Sequence, residues 1–291
     1  MNAYFLIILA VLLLAFDFVL KKSYQKINGD SVKSGLVYNA FSGVCTAIIF
    51  FVVNKFTFNF SWYSFYMAIA ISILTASYTI IGFKILKSGN MAIYTLFLMV
   101  GGMSVPYVFG LVCLGEPFSI IYLVGLTIII VSLVLSGTEI KKTKLSQIAL
   151  CSVVFLLNGM VSVFSKLHQI EDVHKTISAI EFTALSGVVK AILSGFILTV
   201  CGRKENEKSV KMINKKIVLI IAISAVVGGL SYILQLLAAS KLPATVLYPF
   251  TTGGTVVLTA LMGIIFFSEK PDARQWVSML LCLMGTCMFL K

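Results

Sequence analysis

Apolar positions along this chain neither alternate nor fall into narrow stripes; they run on without a break. Ten such runs stand out, at about 3–20, 34–53, 62–86, 91–114, 118–137, 146–166, 177–201, 216–240, 243–267 and 273–290, with most of the charge in the gaps. Each is close to the roughly 20 residues that a helix needs to cross a bilayer core. Strands of a membrane barrel would instead be about 10 residues of alternating polarity. The pattern predicts an all-α integral membrane protein of ten transmembrane helices and leaves no stretch for a soluble domain.

Composition agrees. Of 291 residues, 59% are hydrophobic and 12% charged, and the mean hydropathy is +1.02. A soluble domain of this size has too much surface to hide so much apolar material. The first run has no basic residue before it, no small-residue cleavage pattern, and Lys21-Lys22 behind it, so it reads as an uncleaved helix. Cys45, Cys113, Cys151, Cys201, Cys282 and Cys287 fall in or beside apolar runs without CxxC spacing and read as small packing residues. The net charge of +12 sits largely in the gaps, which suits anionic lipid and the cytoplasm. The stretch GRKENEKSVKMINKK (202–216) lacks interleaved aromatics, so no nucleic-acid partner is expected.

The chain also repeats itself. Shifted by 144 residues, Tyr38–Ile48 (YNAFSGVCTAI) falls on Phe182–Ile192 (FTALSGVVKAI), with six of the eleven positions identical. The same shift aligns Lys22 with Lys166 and Gln25 with Gln169. A shift of 152 aligns Ser88 with Ser240, Ala92 with Ala244, and Gly101-Gly102 with Gly253-Gly254; further on, Glu116 matches Glu269. Each half, 1–140 and 141–291, then holds five helices. An odd number of crossings forces two tandem copies to enter the membrane in opposite senses, giving two inverted five-helix repeats. That arrangement suits a carrier with its site at the repeat interface near the midplane. The doubled string carries small residues four apart (Gly43 and Ala47, Gly187 and Ala191), a face for close helix packing or a pivot for rocking.

Two longer stretches, SGNMAIYTLFLMVGGMSVPYVFGLVCLGEPFSIIYLVGLTIIIVSLVLSG (88–137) and SKLPATVLYPFTTGGTVVLTALMGIIFFSEKPDARQWVSMLLCLMGTCMFL (240–290), close their halves alike. With the five-plus-five plan, this resembles the ten-helix drug/metabolite transporter superfamily, EamA-type branch. The resemblance implies a secondary carrier of small metabolites. It implies a central cavity formed by the third, fourth, eighth and ninth helices with the first and sixth. It carries over no substrate residue; Glu116 and Glu269, at loop ends, are expected to cap helices.

Charges at membrane depth are costly, about 2.5–3.5 kcal/mol on insertion scales, so each is a candidate site. Lys190 lies mid-helix, and its counterpart in the first half is Thr46, so the shared fold does not require it. It reads either as a contact for a substrate carboxylate or phosphate, or as a snorkelling lysine. Glu181, nine residues earlier and on the opposite helix face, is a proton or cation site or a dipole-favoured residue at a wet helix end. Asp17 is a second coupling candidate, or the partner of Lys21 in an exposed i,i+4 pair. Neutral substrate-binding candidates are Asn158, Gln235, Tyr78, Tyr94, Tyr232, Tyr248 and Thr251, with Asn39 beside them. Tyr78 and Tyr232 are counterparts within Ser-Tyr pairs, and tyrosine offers both an apolar ring and a hydroxyl. His168 and His174, in the presumed loop HQIEDVH, lack helical ligand spacing, so no metal is expected.

No P-loop, GxSxG or HExxH is present, and neither an enzyme nor a cofactor is expected. The expectation is a secondary active transporter, exporter or exchanger, for a small polar or amphiphilic metabolite such as an amino acid or organic cation. The expected partners are this small-molecule substrate and the lipid bilayer, and a homodimer is compatible with the sequence. A membrane scaffold, a partner-binding subunit or a channel is the alternative. The location expected is the plasma membrane, with both termini on one side. That side carries five Lys or Arg against seventeen opposite, which places the termini outside. The family resemblance places them inside.

Overall fold

The computed structural model describes residues 2–29, 31–86, 91–136, 145–201 and 215–290. Ten α-helices follow in order: α1 (Ala3–Asn28), α2 (Val32–Val53), α3 (Trp62–Leu86), α4 (Met91–Val112), α5 (Ile120–Ser136), α6 (Leu145–Ile170), α7 (Ala179–Cys201), α8 (Lys215–Ala239), α9 (Ala244–Phe267) and α10 (Ala273–Cys287). The described residues contain no strand. Among the described residues, nine helices are long and apolar enough to cross a membrane, and α5 is a shorter apolar helix of 17 residues.

Local chemistry sets the helix ends. The side chain of Asn2 accepts from Tyr4 N at 3.1 Å and that of Ser31 from Ser34 N at 3.2 Å. Asp272 and Gln275 form a reciprocal capping box at the start of α10. Gly29, at φ +79°, ends α1 in a conformation open to glycine. α1 runs past its expected end near residue 20, because Lys21 returns to Asp17 one turn earlier instead of entering a loop. α6 likewise runs to Ile170 and takes Lys166 and His168 into the helix. Large apolar side chains such as Ile48, Ile192, Phe196, Ile265 and Leu280 stand exposed around the outside. Lipid, unlike water, accepts such a surface.

The doubled string is a helix crossing. α2 and α7 touch through Gly43 and Gly187, where a Cβ on Gly43 would lie 2.7 Å from the Gly187 carbonyl oxygen. Only small residues allow backbones this close. Around this crossing, α1 packs on α8 and α9, while α6 packs on α3 and α4; α5 pairs with α10, and α4 with α9. These pairs exchange with one another under the register that aligns the two halves of the sequence.

Hydrogen bonds define the two ends of the bundle. Asn59 binds Glu181, Ser61 binds the Lys175 carbonyl, Glu116 binds the first amides of α9, and Lys166 binds the Leu242 carbonyl. Loops 54–61, 113–119, 171–178 and 240–243 thus share one end, here the terminal face. Phe289 stacks on Tyr122 at 5.4 Å and brings the C-terminal turn to the same face. Lys22 pairs with Glu269 at the opposite, distal face. The boundary between the halves near residue 140 and the basic stretches 141–144 and 203–214 lie outside the described residues.

Candidate functional site

A cavity of about 320 Å³ lies between α1, α2, α3, α6, α7 and α8. Its lining spans the middle of the bundle: Lys21, Leu36, Tyr38 and Ser194 lie toward the distal face, Ser42 and Lys190 at mid-helix, and Thr183, Tyr232 and Gln235 toward the terminal face. Helical spacing produces the walls. Tyr38, Asn39, Ser42 and Thr46 form one face of α2; Thr183, Ser186, Gly187, Lys190 and Ser194 form one face of α7; Ser72, Thr75 and Thr79 lie on α3. Hydroxyls suit this position because each is a donor and an acceptor on a compact side chain.

Three charged side chains enter the lining: Asp17, Lys21 and Lys190. Asp17 is buried, and its carboxylate accepts from Lys21 Nζ at 2.6 Å. The Ser224 hydroxyl also donates to Asp17, and Tyr38 hydrogen-bonds Ser224. A serine has one proton to give, so Tyr38 is the donor in that second bond. Glycine lets α8 come this near: a Cβ on Gly228 would lie 3.0 Å from Asp17 Oδ2. The expected i,i+4 pair therefore exists, but it is not the exposed pair expected of it. α8 covers Asp17, and Lys21 lines the cavity rather than a loop. Lys190, half-buried, donates to Ser42 Oγ at 3.1 Å. No carboxylate among the described residues pairs with it.

The other candidates divide. Gln235 and Tyr232 line the cavity; Gln235 donates to Ser231 Oγ at 3.1 Å, and Tyr232 shares a 3.2 Å hydrogen bond with Ser165. Asn158 stands outside the lining and donates to the Leu98 carbonyl at 2.7 Å, tying α6 to α4. Tyr78 and Tyr94 pack around a separate core of Ile85, Ile93, Cys151 and Val154. Tyr248 donates to the Ser162 carbonyl at 2.5 Å, and Thr251 to the Leu247 carbonyl of its own helix at 2.7 Å. α4 and α9 contribute no residue to the lining; α2 and α7 do so instead. The central stretches of α4 and α9 are occupied by contacts with each other and with α6 and α1.

Glu181 closes the terminal face. It accepts from Asn59 N at 2.9 Å, Asn59 Nδ2 at 3.2 Å, Ser178 N at 2.9 Å and Ser178 Oγ at 2.8 Å. Ser178 Oγ in turn accepts from Glu181 N at 3.3 Å, which makes a capping box at the start of α7. Glu116 accepts from Ala244 N at 2.6 Å and Thr245 N at 2.9 Å, the helix-capping role expected of it. Lys166 is buried and donates to the Ala239 and Leu242 carbonyls at 2.6 Å each, so it is not the loop cation assumed in the charge count. His168 is not in a loop either: its Nε2 meets Ser64 Oγ at 2.9 Å inside the bundle. In the true loop, the backbone N–H and ring of His174 hold the Glu171 carboxyl down to about 2.

The cavity residues that the sequence did not single out include Lys21, Tyr38, Ser42, Ser186 and Ser224, with the hydroxyls of Ser72, Thr75, Thr79, Thr183 and Ser194. One signal for the serines was present. Ser42 and Ser186 occupy matched places in the doubled string, which reads first as a packing surface.

A ten-helix bundle with a lipid-facing exterior and a polar hollow in its interior is a multi-pass membrane protein of the transporter kind. Residues 145–291, just over half of the chain, match the EamA-like transporter family. The chain belongs to that family, within the drug/metabolite transporter superfamily, which is a family of transporters and not of enzymes. A solved crystal structure superposes with a TM-score of 0.78 over 98% of this chain and 95% of its own length, at 13% identity. At that identity the likeness is one of fold. No curated protein matches the chain.

Proposed function

We propose that this protein is a secondary active transporter of a small polar or amphiphilic metabolite, working by alternating access. Residues 1–140 and 141–291 act as two inverted five-helix repeats. The exchanging helix contacts and the central α2–α7 crossing support that reading. The observation that carries the function is the cavity itself: lined by hydroxyls and three charged side chains, and set among six helices from both halves across the middle of the bundle. Rocking the halves about α2 and α7 would expose the cavity to the two faces in turn. Asp17, Lys190, Tyr232 and Gln235 face the substrate. The Asp17 carboxylate, paired with the Lys21 ammonium, is the place for proton or cation coupling. The bonds made by Glu181, Asn158, Tyr248 and Thr251 support helix-tying roles for those residues.

Counterflow in proteoliposomes tests the reading. A carrier gives saturable uptake that is accelerated by substrate on the opposite side. Non-saturable flux would mean a channel, and no flux across a broad metabolite panel would mean a scaffold. The seat proposed is the plasma membrane with the terminal face outside. A membrane-impermeant thiol reagent should then label a variant carrying Cys113 as its sole cysteine in intact cells; protection of Cys113 would reverse the orientation.

A further inference from the structure

The cavity holds one carboxylate and two ammonium groups, so the charged side chains of its described lining leave one positive charge in excess. The carboxylate is already engaged. Asp17 is held by Lys21 from one side and by the Ser224 hydroxyl, itself backed by Tyr38, from the other. The excess therefore resides at Lys190, whose partner is a neutral hydroxyl at 3.1 Å. A cation at this depth without a carboxylate paired to it directly is unfavourable, and a ligand that supplies one relieves it.

A second observation lies one helical turn away. The Ser186 hydroxyl oxygen is buried, lines the cavity and has no hydrogen-bond partner. Ser186 and Lys190 are four residues apart on α7 and share its cavity face. Ser42, the counterpart of Ser186 in the doubled string, stands across on α2 and already accepts from Lys190. One ammonium and two hydroxyls thus converge from two helices, and a single planar anion could use all three. The lining also presents apolar side chains, Leu14, Leu36, Ile71, Val161 and Leu193, among further neutral hydroxyls and amides such as Thr75, Thr183 and Gln235.

We propose that Lys190, Ser42 and Ser186 form the anion end of the site and take the carboxylate of a small organic monocarboxylate, whose apolar body lies against the leucines and isoleucine. The proposal rests on the carrier reading and narrows its substrate class. Binding brings the cavity to neutrality. An organic cation would raise the excess to two positive charges. A zwitterion would need a free acid for its ammonium, and the one acid present is committed. A dianion would overshoot, with a single lysine to meet it.

The experiment uses purified full-length protein in detergent and in proteoliposomes. Propanoate, butanoate, benzoate and 3-phenylpropanoate are each compared with the amide and the amine of the same skeleton, by ligand-induced melting shift and by counterflow. Carboxylates should stabilise the protein, while amides and amines should not. Lys190→Gln should weaken carboxylate binding roughly tenfold or more, and Ser186→Ala about threefold to tenfold. Lys190→Arg, which keeps the charge, should retain binding. It provides a folding control together with the unliganded melting temperature of each variant. Should Lys190→Gln not fold, Ser186→Ala and the ligand series decide alone. The proposal is overturned if no carboxylate binds, if amines or amides bind as well as carboxylates, or if a folded Lys190→Gln binds carboxylates undiminished. Saturable amine counterflow that ignores Lys190 removes this inference and keeps the carrier. Lys190-dependent carboxylate binding without flux keeps this inference and removes the carrier.

Discussion

The two ends of the bundle use matched residues differently. At the terminal face, Glu116 caps α9 with two short hydrogen bonds, and the buried Lys166 ties off the carbonyls that end α8. At the distal face their sequence counterparts, Glu269 and Lys22, meet each other in a half-exposed ion pair, with Lys22 also lying 4.7 Å from the Phe267 ring centroid. A strictly twofold bundle would give both ends the same bonds. Their difference shows that the matched residues do not follow a strict twofold. The lesson is energetic as well as geometric. Desolvated groups that satisfy helix termini resist removal because their partners are left buried and unpaired, whereas exposed pairs are screened and remain hydrated.

Three substitutions or conditions sharpen that contrast. The largest effect is expected from Lys166→Met, which keeps the apolar stem but leaves the Ala239 and Leu242 carbonyls without their donor. It should destabilise by about 2–3 kcal/mol, read as a lowered melting temperature. An unchanged melting temperature would mean that the terminal seal is not held there. Next comes Glu116→Ala, a lost cap costing about 1–2 kcal/mol. Its counterpart Glu269→Ala should cost less, within about 0–1 kcal/mol, because that pair is exposed. Equal losses in a side-by-side unfolding experiment would erase the distinction between the two faces. The smallest effect is a pH response of the terminal-face loop. Glu171 is depressed from 4.5 to about 2 by His174, so its bonds are fully present above about 4.5 and are lost as pH falls toward about 2. Hydrogen exchange of loop 171–178 should rise over that window, and Glu171→Gln should flatten the response.

Much of the fold was legible in the residue pattern. The runs match the helices to within a few residues except where α1 and α6 continue, and both exceptions share a cause. Lys21 and Lys166 look like loop cations because they follow an apolar run. Each instead reaches a partner, Asp17 in one case and the end of α8 in the other, and the helix extends to carry it there. The site was legible in part. Lys190, Asp17, Gln235 and Tyr232 were visible as polar residues in apolar company. Tyr94, Tyr248 and Thr251 had the same look, yet their hydroxyls or rings are taken up away from the cavity.

What the sequence determined by itself is the set of ten apolar helices, the repeated string and the small-residue face on which α2 and α7 cross. These depend on spacing along one chain and on the preference of apolar surface for lipid. Which charge faces the hollow and which carboxylate is already neutralised were decided by tertiary structure. Each depends on distances between helices far apart in sequence, such as Ser224 to Asp17 or Lys190 to Ser42, and no local pattern encodes a distance of that kind.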